Sequence, residues 1–161
     1  MEGQVWHEEE VKASAAQAWK LYGGLELAKL AEIVLNNFIS RVDLLHGDGG
    51  VGTLLKLHFL PGSMGEIEYS VEKFTKIDKE KYVKETEVTE GGYMQMGCSL
   101  YRVRFEITEK EKDCCIIKST IEYKFKPEAA VDPSVISIQP FQLLAQAANN
   151  YLINKSITNP N

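Results

Sequence analysis

The stretch DPSVISIQPFQLLAQAANNYL, residues 132–152, decides the fold because its apolar residues recur at helical spacing over a length that could cover a sheet. Asp132 is suited to cap a helix and Pro133 to occupy its first turn. Pro140 has no backbone N–H, so we expect a bend there. The pattern predicts one long C-terminal helix, with an apolar side formed by Val135, Ile138, Phe141, Leu144, Ala145, Ala148 and Leu152.

Upstream of this helix, the hydrophobic period falls to about two and turn residues interrupt it at hairpin spacing. Glycine, proline and aspartate mark the interruptions. This pattern predicts six consecutive strands, at residues 39–46, 52–60, 65–75, 80–88, 93–107 and 113–126.

The N-terminal part adds a strand at residues 4–12 and two short helices. Ser14 and Gln17 have the spacing of a capping box, which predicts a helix over Ala15–Tyr22. An apolar stripe predicts a second helix over residues 26–36. The element order indicates an α+β protein, an antiparallel meander whose apolar face is covered by the long helix. Such a sheet can close completely around the helix or leave a cavity.

Composition indicates one globular domain spanning residues 1–161, with 44% hydrophobic residues. Eighteen Lys and Arg against 23 Asp and Glu give a net charge of −5 with both signs interspersed, which argues against a nucleic-acid partner.

No window approaches the roughly 18 apolar residues of a membrane span. The first residues lack a targeting pattern, so we expect a cytoplasmic protein that does not bind membranes. We expect a monomer, with a dimer as the alternative.

The motif GDGGVGT at residues 47–53 formally matches a dinucleotide-binding fingerprint, but its context does not. That chemistry requires a helix N-terminus directly after the glycines, whereas residues 53–59 alternate as a strand. We interpret the motif as a rigid turn between two strands. The three histidines and the cysteines have no metal-ligand spacing, so no metal site is predicted.

Lys84 is the most informative charged residue, because it shares a strand face with Tyr82, Thr86 and Val88. An inward lysine would have its pKa lowered by desolvation toward a range useful for acid–base chemistry. The alternative is a lysine that reaches an open rim. Tyr69 and Glu72 lie three residues apart, so only a bulge would turn both inward; otherwise Glu72 is a solvated carboxylate.

Three motifs, GDGGVGT at 47–53, EGGY at 90–93 and IKSTIEY at 117–123, resemble the plant pathogenesis-related class-10 family, also called the Bet v 1-like family. The resemblance covers essentially the whole chain. It implies a helix-grip fold: a seven-stranded antiparallel sheet around a long C-terminal helix, with two short helices and an internal hydrophobic cavity.

Within that family the chain is most similar to the branch of norbelladine and norcoclaurine synthases. That branch condenses an arylethylamine, such as tyramine or dopamine, with an aromatic aldehyde to an imine or a ring-closed Pictet–Spengler product. The resemblance implies catalytic roles for Tyr69, Glu72 and Lys84, which have the spacing of a Tyr-x-x-Glu pair with a lysine twelve residues later. Val103 stands where norcoclaurine synthase has an aspartate, which argues against ring closure.

The implied mechanism needs no metal or organic cofactor. Glu72 would accept a proton from the amine, Lys84 would protonate the departing hydroxyl, and Tyr69 would orient an oxygen of the substrate. The alternative function is a carrier or receptor that holds a phytohormone, a flavonoid or another hydrophobic plant metabolite unchanged.

Either function would use the same cavity, whose mouth we expect at the 91–92 turn, the 61–65 loop and residues 25–36. The predicted ligand-binding residues are large apolar and aromatic ones: Phe59, Tyr82, Met94, Met96, Tyr101, Phe141, Leu144 and Ala145.

Overall fold

The computed structural model describes residues 1–158, so the last three residues of the predicted 1–161 domain lie outside the described part. Its elements follow the predicted order. They are β1 (Glu2–Val11), α1 (Ala15–Tyr22), α2 (Glu26–Val34), β2 (Ile39–His46), β3 (Leu54–Phe59), β4 (Tyr69–Asp78), β5 (Val83–Gly91), β6 (Cys98–Glu111), β7 (Cys114–Phe125) and α3 (Gln139–Thr158).

The seven strands form one antiparallel sheet in the order β1-β7-β6-β5-β4-β3-β2. Every pair except β1–β7 joins consecutive strands, as expected for a meander. Helix α3 lies against β1, β7, α1 and α2. The predicted α+β class and helix-grip architecture are confirmed.

The prediction for the start of the long helix was wrong. Asp132 caps a short 3₁₀ helix, Pro133–Val135, and its carboxylate accepts a hydrogen bond from the Ser134 N–H at 2.9 Å. The chain is extended at Ile136 before α3 begins at Gln139. Pro140 therefore lies in the first turn of α3, where a missing N–H costs no intrahelical hydrogen bond, and it does not bend an established helix.

Residues 92–96 form a 3₁₀ helix instead of the predicted start of a strand. Gly91 and Gly97 flank this segment with φ of +70° and +90°, a backbone region that glycine adopts without steric cost. Strand β6 therefore begins at Cys98, five residues later than predicted. The side chains of residues 93–96 consequently do not follow the alternation of a strand.

Helix α1 is fixed at its N-terminus by the predicted capping box. Ser14 Oγ accepts a hydrogen bond from the Gln17 N–H at 3.2 Å, and the Ser14 N–H donates to Gln17 Oε1 at 3.0 Å. Leu21 and Tyr22, at its other end, are almost completely buried. This end of α1 packs over the sheet, which places its last carbonyl groups inside the protein.

The glycine-rich motif is a turn between β2 and β3, and a strand follows it. Thr53 is 1% exposed; its Oγ1 donates to the Gly50 carbonyl at 2.7 Å and accepts from the Gly49 N–H at 2.9 Å. These bonds hold the turn from inside, so its backbone N–H groups do not form a helix N-terminus for a phosphate.

None of the helices within residues 1–158 combines the length and the hydropathy that a membrane span requires.

Candidate active site in the interior cavity

A cavity of about 520 Å³ lies between the concave face of the sheet, α2 and the start of α3. Its apolar wall comes mainly from these elements and from the segments beside them: Leu27, Ala28, Ala31, Leu35, Phe38, Val42, Leu55, Leu57, Phe59, Met64, Phe74, Val88, Val103, Phe105, Pro140, Phe141, Leu143 and Leu144. The exposed polar residues of the lining are Asn37, Ser63, Ser137 and Gln139. They place the mouth between the end of α2, the 61–65 loop and the segment that leads into α3.

Three central strands contribute alternate residues to the cavity, as expected for one face of a pleated sheet. β4 contributes Ser70, Glu72 and Phe74; β5 contributes Lys84, Thr86 and Val88; β6 contributes Tyr101, Val103 and Phe105. Of all the described residues that line the cavity, only Glu72 and Lys84 belong to the acidic and basic types. A single carboxyl and a single amine therefore face an otherwise apolar and neutral polar interior.

Lys84 is 2% exposed and is held by the end of α1. Its Nζ donates to the carbonyl oxygens of Tyr22 at 2.9 Å and Gly24 at 3.0 Å, and it lies 3.9 Å from the centre of the Phe74 ring. Carbonyls at a helix C-terminus lack intrahelical donors and carry partial negative charge, so they stabilise an ammonium group. Burial lowers the pKa of Lys84 to about 8, and the negative charge of Glu72 opposes that fall.

Glu72 has a different environment, because no hydrogen bond or ion pair engages its carboxylate among the described residues. Burial raises the pKa of this carboxyl above its ordinary value, and the Lys84 ammonium opposes the rise. No carboxylate oxygen of the described residues lies within 4.0 Å of Lys84 Nζ. The two charges therefore influence each other's pKa without a direct ion pair.

The structure does not bring Tyr69 to Glu72 and Lys84. The pairing of β4 with β5 passes directly from Val71–Glu90 to Glu72–Val88, so the extra residue of this bulge is Thr89 on β5. Because β4 itself stays regular there, residues 69 and 72 fall on opposite faces. The Tyr69 ring lies outside the cavity lining, 4.6 Å from the Lys56 Nζ, and the Glu90 carboxylate raises its pKa.

Four of the predicted ligand-binding residues, Phe59, Tyr101, Phe141 and Leu144, line the cavity, and the other four do not. Met94 and Met96 lie in the 3₁₀ helix, which interrupts the strand alternation. Tyr82 precedes β5 with φ of +56° and stacks on Trp19, with ring centroids 5.4 Å apart. Ala145 has no exposed surface because it faces the packed side of α3.

Most of the lining was missed because the sequence does not mark which face of each strand is concave. Within one strand, alternation identifies the other inward residues once one of them is known, since Lys84 implies Thr86 and Val88.

Val103 is 3% exposed and lines the cavity, so this position offers no proton acceptor. Within residues 1–158 no group of three or more His, Cys, Asp or Glu side chains is arranged to hold a metal ion.

These features define a helix-grip protein with an internal ligand cavity, and comparison with known proteins identifies the family. The model of the pathogenesis-related protein Bet v 1 family matches residues 1–155. The chain belongs to this family.

Norbelladine synthase from Narcissus pseudonarcissus is 41% identical over 155 residues, which cover 96% of this chain and 94% of that protein. A solved structure of a norcoclaurine synthase point mutant from Thalictrum flavum, in complex with a transition-state analogue, superposes with a TM-score of 0.86. It is 33% identical and covers 97% of both chains. The structure of norcoclaurine synthase from that plant with dopamine and hydroxybenzaldehyde has a TM-score of 0.83 at 33% identity, covering 96% of this chain and 88% of the other.

Proposed function

We propose that this protein is a cofactor-independent enzyme that condenses an arylethylamine with an aromatic aldehyde to an imine, or to its ring-closed Pictet–Spengler product. The observation that carries the proposal is the isolated Glu72 carboxylate facing the cavity together with Lys84. The carboxylate is half-buried, has no protein hydrogen-bond partner and has its pKa raised by its surroundings, a combination typical of functional sites. The relatives named norbelladine and norcoclaurine synthase supply the reaction class.

In this proposal the two residues divide the proton transfers. An arylethylamine enters as an ammonium ion and must lose a proton before it can attack the aldehyde. Glu72, with its raised pKa, is a stronger base than an ordinary glutamate and accepts that proton. The amine nitrogen then forms the C–N bond while the carbonyl π electrons move to oxygen, and a proton shift from nitrogen to oxygen gives the neutral carbinolamine.

Loss of water completes the condensation. Lys84, whose lowered pKa makes it a stronger acid than a free lysine, protonates the hydroxyl, which leaves as water. The resulting iminium returns its proton to the Lys84 amine and becomes the imine. The net proton released by the reaction remains on Glu72. The apolar walls hold both reactants together and limit competing water.

The test combines purified protein with dopamine or tyramine and 3,4-dihydroxybenzaldehyde or 4-hydroxyphenylacetaldehyde, followed by mass spectrometry. Borohydride added at fixed times reduces any imine to a stable amine. We expect Glu72→Gln and Lys84→Met to lower the rate by about 10²-fold or more. Glu68→Gln and Lys73→Met change exposed residues of the same sheet region and should leave the rate unchanged.

A carrier function is the second candidate, and one observation favours it. Two Lys84 N–H groups are already engaged by carbonyls, and its Nζ lies over Phe74, an arrangement that suits a purely structural lysine. A carrier would bind aromatic ligands with measurable affinity but form product only at the uncatalysed rate. Background-level product from the wild-type chain would refute the enzyme proposal. Glu72→Gln is the cleaner variant, because it disturbs no internal hydrogen bond.

A further inference from the structure

Tyr101 is a polar side chain of the cavity lining that the mechanism proposed above does not use. It lies on β6, on the same face as Val103 and Phe105, and lines the cavity, with β5 between it and the residues of β4. Its hydroxyl makes no hydrogen bond with any described residue. A phenol that faces a cavity with a free O–H is available to donate to a ligand.

The Tyr101 hydroxyl lies close enough to the proposed base to be affected by its charge. Burial raises the pKa of Tyr101 far above its ordinary value, and the charges of Tyr93 and Glu72 add to that rise. The phenol therefore stays protonated throughout the neutral range. It can act as a hydrogen-bond donor but not as a proton donor.

Tyr93 holds the Tyr101 ring in place. The two rings stack with centroids 5.3 Å apart and an interplanar angle of 22°. The Tyr93 hydroxyl donates to the Val135 carbonyl at 3.1 Å, which ties the pair to the segment before α3. This contact positions the Tyr101 hydroxyl relative to the cavity without using it as a partner.

We propose that Tyr101, rather than Tyr69, donates the hydrogen bond to the aldehyde carbonyl oxygen. This inference rests on the proposed condensation for its catalytic consequence, but it also makes a claim about aldehyde binding alone. The hydrogen bond strengthens as the amine adds, because the π electrons of the carbonyl move onto that oxygen. No proton leaves Tyr101 during the step; the oxygen receives its proton from the nitrogen, as described above.

The binding claim is tested without any amine, so it does not depend on turnover. Infrared difference spectra of carbonyl-¹³C-labelled 3,4-dihydroxybenzaldehyde are recorded with the wild-type chain, Tyr101→Phe and Tyr69→Phe. We expect the carbonyl stretch at lower frequency in the wild-type and Tyr69→Phe complexes than in Tyr101→Phe. An unchanged frequency in Tyr101→Phe, or a loss of the shift in Tyr69→Phe, would overturn the proposal.

Kinetics then test the catalytic claim. Loss of one oxyanion-type donor should lower kcat by roughly 10²-fold in Tyr101→Phe, with a much smaller change in KM. Tyr69→Phe should retain wild-type kcat, and equal losses in both variants would refute the assignment. Tyr93→Phe removes the hydrogen bond to Val135. It should lower kcat less than Tyr101→Phe does and give a carbonyl frequency between those of the wild-type and Tyr101→Phe complexes. If the wild-type chain forms product only at the uncatalysed rate but the infrared shift depends on Tyr101, the condensation proposal fails while the carbonyl site stands.

Discussion

Replacing Lys84 by methionine should remove a rise in stability that the wild-type chain gains at alkaline pH. The pKa of Lys84 is about 8 in the folded chain and has a reference value of 10.5. Between these values the unfolded chain binds more protons than the folded chain, so the free energy of unfolding rises with pH. Below pH 8 the folded chain carries the full cost of the buried charge; above pH 10.5 it carries none.

The size of this effect follows from the same two values. The fall from 10.5 to about 8, at about 1.36 kcal/mol for each pKa unit, corresponds to about 3 kcal/mol. The carbonyls of Tyr22 and Gly24 favour the ammonium form, so this figure is an upper one. The methionine variant lacks the titrating group and keeps a side chain of similar length.

Urea unfolding of both proteins between pH 7.5 and 10.5 measures the effect as a difference. Subtracting the two curves cancels the groups whose pKa does not depend on the charge of Lys84. We expect the difference to change by up to about 3 kcal/mol in favour of the wild type as pH rises. Lys73→Met, which removes an exposed lysine, should run parallel to the wild type. Parallel curves for Lys84→Met would refute the assignment of a lowered pKa to Lys84.

Three further substitutions test the backbone and the cavity. Gly91→Ala places a Cβ against the Tyr69 carbonyl at φ of +70°, whereas the Cβ of Gly52→Ala lies in open space and meets only the strain of φ +94°. We expect thermal unfolding to show that Gly91→Ala lowers the free energy of unfolding by about 2 kcal/mol and Gly52→Ala by about 1 kcal/mol. Val103→Asp adds a carboxylate inside the cavity, where burial will raise its pKa; mass spectrometry should show a larger share of ring-closed product, and an unchanged ratio would contradict an added base role.

The fold was predictable because its signals are repeated along the chain. Seven alternating segments, each ended by turn residues, specify an antiparallel meander, and Ser14 with Gln17 specifies the start of α1. The predicted boundaries were wrong where two local sequence patterns favour different structures. Residues 92–96 alternate like a strand, but Gly91 and Gly97 at positive φ turn them into a 3₁₀ helix.

The candidate site was harder to predict, since it depends on which strand of a pair carries the extra residue. The sequence allowed a bulge that turned Tyr69 and Glu72 inward together. The structure places the bulge at Thr89 on the neighbouring strand, so only Glu72 faces the cavity. Nothing in the spacing of residues 69–72 distinguishes these two cases. The carbonyl partners of Lys84 lie about 60 residues away in sequence, and only tertiary contact shows them.

The hydrogen bonds from Lys84 to the carbonyls at the end of α1 affect what sequence variation in this family can show about activity. In a descendant that lost its chemistry, replacing Lys84 would leave two interior carbonyls without their donor, which offsets the gain from removing the buried charge. The lysine would thus be retained after the activity was lost, so its presence alone is poor evidence of catalysis. The carboxylate at position 72 makes no such structural hydrogen bond, and its raised pKa means that its ionised form destabilises the folded chain. Drift should replace it first, so a glutamate there is the better genetic marker of a working enzyme.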